Sequence, residues 1–427
     1  LRLLLIALFL LGFACASIVT AEGSSNKCVT NKCEPNQYLA GFAKLDISPK
    51  IGESVPTMMA SPQMLQKIQD PLYAKVLVIG DSQKRIGFVA LDLLFLSNEA
   101  FQALRQHLLD NSDLDNVIVT VTHSHSGVFD HSKFDLLKTK ALKATQAAMS
   151  ELQPVEIGAS SIEIDEAYNR RIHLESSVEM FWVNPERKTN RPVDTALGVI
   201  HIRGLDGTPL VSIVNYSAHP TITMDLENVV VSADYPSALS QSIDENFGGE
   251  VLFLLGAAGD VNPYDSDTKP LELAIQKSKV LGSKLGSAAV SAIKNIDHYS
   301  SHGRFAYLSK GFSQPEANIS ALILTPTIAV ATFPGEYFND FGQQLKAKSS
   351  IEHTFFIGYA NGSIGYVPTQ AAAKLGGYGA DLDSPELKVA QTTGQQHINI
   401  VIKMLNDHEN CLHERQNDKT IKRDCAH

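Results

Sequence analysis

The chain has 427 residues, is 44% hydrophobic and carries a formal net charge of −10. This length supports roughly one to three domains with sizeable cores, while an acidic balance without a basic stripe excludes a nucleic-acid footprint. No internal apolar run is long enough to cross a bilayer.

At the start of the chain, Arg2 followed by the apolar residues 3–13 and then small residues predicts an export signal over residues 1–21. Ala14-Cys15-Ala16 and Val19-Thr20-Ala21 both offer small residues at the cleavage positions. A periplasmic or secreted protein is expected. Lipid anchoring through Cys15 is disfavoured, because Gly12 stands where a lipobox carries Leu. Residues 22–427 are expected to form one domain. Cys28, Cys33, Cys411 and Cys425 cluster at its two ends, and an even count in an exported chain predicts two disulfides. Local pairing, Cys28 with Cys33 and Cys411 with Cys425, is the simplest of three connectivities; cross-pairing would staple the ends together. Neither spacing is that of a zinc finger.

After the polar residues 22–37, apolar strands alternate with amphipathic helices. Residues 76–79 and 86–92 read as strands joined by a turn at Gly80-Asp81-Ser82, and 98–109 as a helix capped by Ser97 or Asn98. The β-branched run 117–121 leads into His123-Ser124-His125-Ser126-Gly127, and a helix follows over about 135–152. Residues 211–216 run into Ser217-Ala218-His219-Pro220-Thr221, and 251–255 into Gly256-Ala257-Ala258-Gly259-Asp260-Val261-Asn262-Pro263. Residues 270–296 are helical, and 327–333 form a strand ending in Pro334-Gly335-Glu336. Strands followed by helices predict an α/β fold: a layered mixed β-sheet domain with flanking helices and a metal site at strand ends.

Two imidazoles spaced i, i+2 at a strand end project to the same side, so His123 and His125 suit a shared cation. With His219 and Glu336 they make a histidine and carboxylate set drawn from distant segments. Such a set suits Zn2+ with a position left open, and zinc lowers the pKa of bound water to about 7. Hydrolysis is the natural use. The metallo-β-lactamase signature HxHxDH does not fit, because Asp130-His131 arrives three residues late and out of register. Both are read as loop or surface residues.

The ordered set HSHSG, SAHPT, GAAGDVNP, PGE and YANGSIGYVPT resembles the catalytic region of the neutral/alkaline (non-lysosomal) ceramidase family. Residues 41–49 (GFAKLDISP), Asp92 and Asn169-Arg170 match as well, so the resemblance runs from about residue 40 to about residue 380. It implies a zinc-dependent hydrolase that cleaves the amide of an N-acyl sphingoid base. The implied zinc ligands are His123, His219, Glu336 and Tyr366. His125 is placed beside the metal as donor or proton relay, and Arg170 on the substrate or reaction oxygens. Asp234 is implied to orient a ligating histidine from outside the ligand set, and Asp260 to hold its turn.

Two departures bear on the substrate. Asn262 stands where the family carries the serine of GDVSPN, assigned as nucleophile or as contact to the reacting carbonyl. Asparagine cannot be that nucleophile, but its amide can donate to an oxyanion. The family also carries a C-terminal β-sandwich-like domain, whereas this sequence ends soon after the last motif. The expected activity is cleavage of ceramide or another N-acylated lipid. The alternatives are an ester or non-lipid amide as substrate, and a degenerate relative that binds a lipid or glycan without chemistry. A lipid-like small molecule and peripheral membrane contact are the expected partners, with no protein partner. Phe129, Phe181 and Trp182 are candidate walls of an acyl pocket or core residues. Asn215, Asn318 and Asn361 head glycosylation sequons.

Overall fold

The computed structural model describes residues 36–56, 61–188, 191–225, 229–313, 316–381 and 389–417. The expected export signal and Cys15, Cys28, Cys33 and Cys425 lie outside the described residues; Cys411 is buried on the last helix.

Eight strands form the larger sheet: β1 (Leu39–Asp46), β2 (Tyr73–Gly80), β3 (Arg85–Leu91), β4 (Asn116–Val121), β5 (Gln153–Glu163), β6 (Ala196–Gly204), β7 (Pro209–Tyr216) and β8 (Glu250–Leu255). Their order is β8-β7-β6-β5-β1-β2-β3-β4. The two outermost pairs are parallel and the pairs between them antiparallel. A second sheet follows in chain order: β9 (Ala306–Ser313), β10 (Glu316–Thr325), β11 (Ile328–Thr332) and β12 (His353–Ile357).

Strand alternation builds the layers, because successive side chains point to opposite faces. On β4, Val117, Val119 and Val121 join the core on the helix side, where α1 (Asn98–Asn111) covers β4, α2 (Phe134–Ser150) covers β1 and β2, α3 (Tyr235–Asn246) covers β8 and α4 (Leu271–Lys294) covers β5 and β6, while Ile118 faces the second sheet. On β11, Ile328 and Val330 meet that inter-sheet core, and Ala329 and Ala331 face α5 (Asn339–Lys348) and, beyond α6 (Gln370–Leu375), α7 (Thr393–Asn417). The layers are therefore helices, sheet, sheet, helices. Each large aliphatic side chain so enclosed gains about 1.5–3 kcal/mol from leaving water. No described helix is long and apolar enough to cross a membrane.

The curl of the larger sheet positions the site. Each strand is rotated about 20–25° against its neighbour, so seven steps accumulate roughly 150° between the edges. By the pairing pattern alone β4 and β8 would run in opposite directions; the twist turns them nearly the same way, and β8 comes against β3 and β4. Residues 358–361 stitch this seam. Gly358 N–H donates to Leu255 O at 2.9 Å, Asn361 N–H donates to Val119 O at 2.8 Å, and Asn361 Oδ1 accepts from Val119 N at 2.8 Å. Asn361 is buried by this role. Asn215 is buried too, donating from Nδ2 to Leu254 O and Phe356 O at 2.8 and 3.0 Å between the sheets.

Candidate metal centre

Each candidate ligand leaves the end of a strand. Past β4 the chain folds back on β3: Thr122 N donates to Leu91 O and His123 N to Leu93 O. His123 adopts φ of 62°, a left-handed conformation that costs a non-glycine residue about 1–3 kcal/mol and is found where surrounding structure enforces it. His125 N is held by Pro220 O at 3.0 Å. His219 follows β7, and its backbone N donates to Val261 O at 3.1 Å. Glu336 follows β11 in a two-residue parallel ribbon that pairs it in register with Tyr366. The loop before Asn262 approaches this ribbon so closely that a Cβ on Gly259 would stand 2.5 Å from Glu336 O.

The ring contacts fix the tautomers. His123 Nδ1 lies 2.6 Å from Leu94 O and His219 Nδ1 lies 2.9 Å from Val261 O. Carbonyl oxygens only accept, so both Nδ1 atoms carry the hydrogen and both Nε2 atoms present lone pairs. His125 Nδ1 is 3.3 Å from the thioether of Met224, and its Nε2 is buried without a hydrogen-bond partner, as is that of His123. One ring nitrogen from each histidine lies within 4.8 Å of the others. Glu336 Oε2 completes the convergence, 2.9 Å from His219 Nε2 and 3.5 Å from His123 Nε2.

A lone pair facing a carboxylate at 2.9 Å is repulsive unless a cation lies between them. A proton is a poor candidate, because burial pushes His219 down to about 4 despite the opposing pull of Glu336. Burial also holds His125 well below its usual value. Burial alone would raise Glu336, and only positive charge on the His123 and His219 side holds its carboxyl well below the usual range. Three imidazoles and one carboxylate are a donor set suited to a divalent metal. The buried group His123, His125 and His219 can hold one.

Beside this cluster stands a second one made of donors. Arg170, buried, donates to Gly259 O at 2.8 Å, to Tyr366 Oη at 3.2 Å and to Asn262 Oδ1 at 3.3 Å. Because Tyr366 accepts from Arg170, its own hydroxyl hydrogen is left to donate. Burial, then Glu336, raises the Tyr366 phenol well above its usual value and keeps it protonated. Asn262 directs its oxygen at Arg170 and its Nδ2 at Ser266 Oγ, 3.2 Å away, and at the Tyr168 hydroxyl.

The remaining expected residues fall outside these two clusters. Asp234 does not touch a histidine. It caps α3 through Tyr235 N and accepts from Thr223 N and Oγ1 at 2.8 Å, and Thr223 in turn bonds Ser126 beside His125. Its support reaches the site through two intermediates. Asp260 accepts from Asn169 Nδ2 at 2.7 Å and from Asn339 N at 2.8 Å. Asp130 caps a short turn through Ser132 N, and His131 packs on Phe129. Phe129 is half-buried against the helix-side core, whereas Trp182 is 44% exposed and stacks over Arg170 with Tyr378. Two residues carried no assignment in the sequence. Tyr359, at φ of 45°, donates to Glu336 Oε1 at 2.5 Å and lays its ring 4.4 Å from that of His123. Met224 is the other.

Among solved structures, a crystal structure of neutral ceramidase from Pseudomonas aeruginosa matches with a TM-score of 0.70, covering 90% of this chain and 75% of that one at 16% identity. The fold is shared with neutral ceramidase. A ceramidase complexed with C2 matches similarly, with a TM-score of 0.71, 16% identity, and 89% and 76% of the two chains covered. No family model matches the sequence. The neutral ceramidase likeness carries the layered architecture, while the chemistry of the site rests on the side-chain geometry above.

Proposed function

We propose that this protein is an exported, single-domain zinc amidohydrolase that cleaves ceramide or a related N-acylated lipid. The observation that supports it most is the juxtaposition of a hydrogen-free cluster, His123, His125, His219 and Glu336, with the donors Arg170, Tyr366 and Asn262. His123, His219 and Glu336 would hold the ion, with Tyr366 joining from the register position beside Glu336. A divalent ion there polarises a carbonyl and makes water acidic enough to attack at neutral pH. Tyr366 and the Asn262 amide, turning one N–H from its present partners, donate to the oxyanion, and Arg170 holds both in place. His125 takes up the proton that the attacking water gives up and passes it to the leaving amine. Trp182 and Tyr378 form an aromatic rim over Arg170 suited to a lipid chain and to peripheral contact with a membrane.

The replacement of the family serine by Asn262 favours one alternative, an ester or a non-lipid amide as substrate. The deciding experiment is hydrolysis of a fluorescent short-chain ceramide by the purified protein, with zinc measured on the same sample and His123→Ala as control. Turnover lost in the variant supports the proposal. Stoichiometric zinc with turnover only on simple esters supports the alternative, and a protein that takes up no zinc refutes both.

A further inference from the structure

The three histidines are not held alike. Carbonyl oxygens anchor His123 and His219 through Nδ1 at 2.6 and 2.9 Å, whereas His125 Nδ1 meets only Met224 Sδ at 3.3 Å. A thioether has no hydrogen to give and is a weak acceptor. The loop that carries Met224 is fastened at three residues: Thr223 is bonded by Asp234, Met224 O accepts from Lys269 Nζ at 3.0 Å, and Thr221 O accepts from Asp267 N at 3.0 Å. The sulfur therefore does not drift onto the ring by chance; a pinned loop delivers it.

We infer that Met224 is a positioning residue that fixes the Nδ1–H tautomer of neutral His125 with a weak hydrogen bond, leaving His125 the one imidazole of the three able to turn as it carries a proton. The acceptor is sufficient to keep the Nε2 lone pair aimed at the cluster. It is too weak to resist rotation of the ring when another group competes for that nitrogen. Carbonyl-anchored His123 and His219 resist the same rotation. This inference rests on the proposed metal site, but its first test does not require the metal.

In the metal-free protein at neutral pH, nitrogen-15 NMR of the imidazoles should show His125 protonated at Nδ1. Met224→Leu, which keeps the volume and removes the acceptor, should populate the Nε2–H tautomer and slow amide turnover about tenfold, the low end for loss of an orienting group, while zinc affinity stays that of the parent. Met224→Gln, which offers an oxygen acceptor, should restore the tautomer and the turnover. An unchanged His125 tautomer in Met224→Leu would overturn the inference. So would equal losses in Met224→Gln and Met224→Leu, since packing would then account for both. If the parent binds no zinc, the proposed function fails, while the tautomer comparison still decides the role of Met224.

Discussion

His219 and Glu336 face each other at 2.9 Å with no hydrogen between them, so the two residues are better partners with a cation present than without one. Glu336→Gln should reverse this. Its amide can donate to His219 Nε2, so the metal-free variant should melt no lower than the parent, while zinc at 100 times the parent Kd should lose most of its stabilisation of about 2.7 kcal/mol. Melting curves with and without zinc check both halves. Asn262→Ala should lower kcat about 10²–10³-fold with little change in KM, because its donation matters most once charge develops on the oxygen; steady-state kinetics on the short-chain amide test this. The convergence of His123, His125, His219 and Glu336 was legible because each is a polar residue standing just after a β-branched or apolar strand. Tyr359 and Met224 were not, because no spacing rule reports that a left-handed turn drops a tyrosine ring onto His123 or that a loop aims a sulfur at His125. Asp234 was read one step too close to the metal for the same reason: its neighbours are decided by the packing of three loops.

The segment 358–361 does for the larger sheet what a ninth strand would do in a closed barrel, joining β4 to β8 next to the ligands. Asn361 sits at φ of 58° and satisfies Val119 N from a buried side chain. Asn361→Ala should destabilise the fold by about 2–3 kcal/mol, combining an orphaned buried N–H with left-handed strain, and Asn361→Gly by about 1–2 kcal/mol because glycine tolerates the backbone. Urea unfolding measures the pair. Among elements, β2 to β4, β7, β8, β11 and helices α1, α2 and α4 matched their expected places, and Ser97 proved to be the cap of α1 through Ala100 N. The hairpin β9–β10 was unread because Ser309, Lys310 and Ser313 break the apolar run of β9, although Ile319, Ala321 and Ile323 of β10 fill the outer core. Helix α7 likewise contributes Ile398, Val401 and Leu405 to the outer core from among many polar residues.

At the scale of the molecule, four layers enclose imidazoles remote from the metal site. Burial pushes His201 and His397 down to about 4. Unfolded, both would protonate near 6.5, so between those values the unfolded chain binds more protons and stability falls as pH falls. The loss is complete near pH 4 and absent above about 6.5, and within that window each ring removes about 1.4 kcal/mol for every step of one in pH. His201→Gln should flatten that slope in the metal-free protein, measured by urea titrations between pH 4 and 7. The layered α/β character was legible from strands alternating with helices; the doubling of the sheets was not, since both faces of a central strand read as apolar whether a helix or a second sheet covers them. The two enclosed asparagines, Asn215 and Asn361, carry a further consequence. In a host that attaches oligosaccharide to sequons during translocation, a sugar can reach either side chain only before the sheets close over it. Carbohydrate at these positions would then be a quality-control tag, present on molecules that failed to mature and missing from those that did.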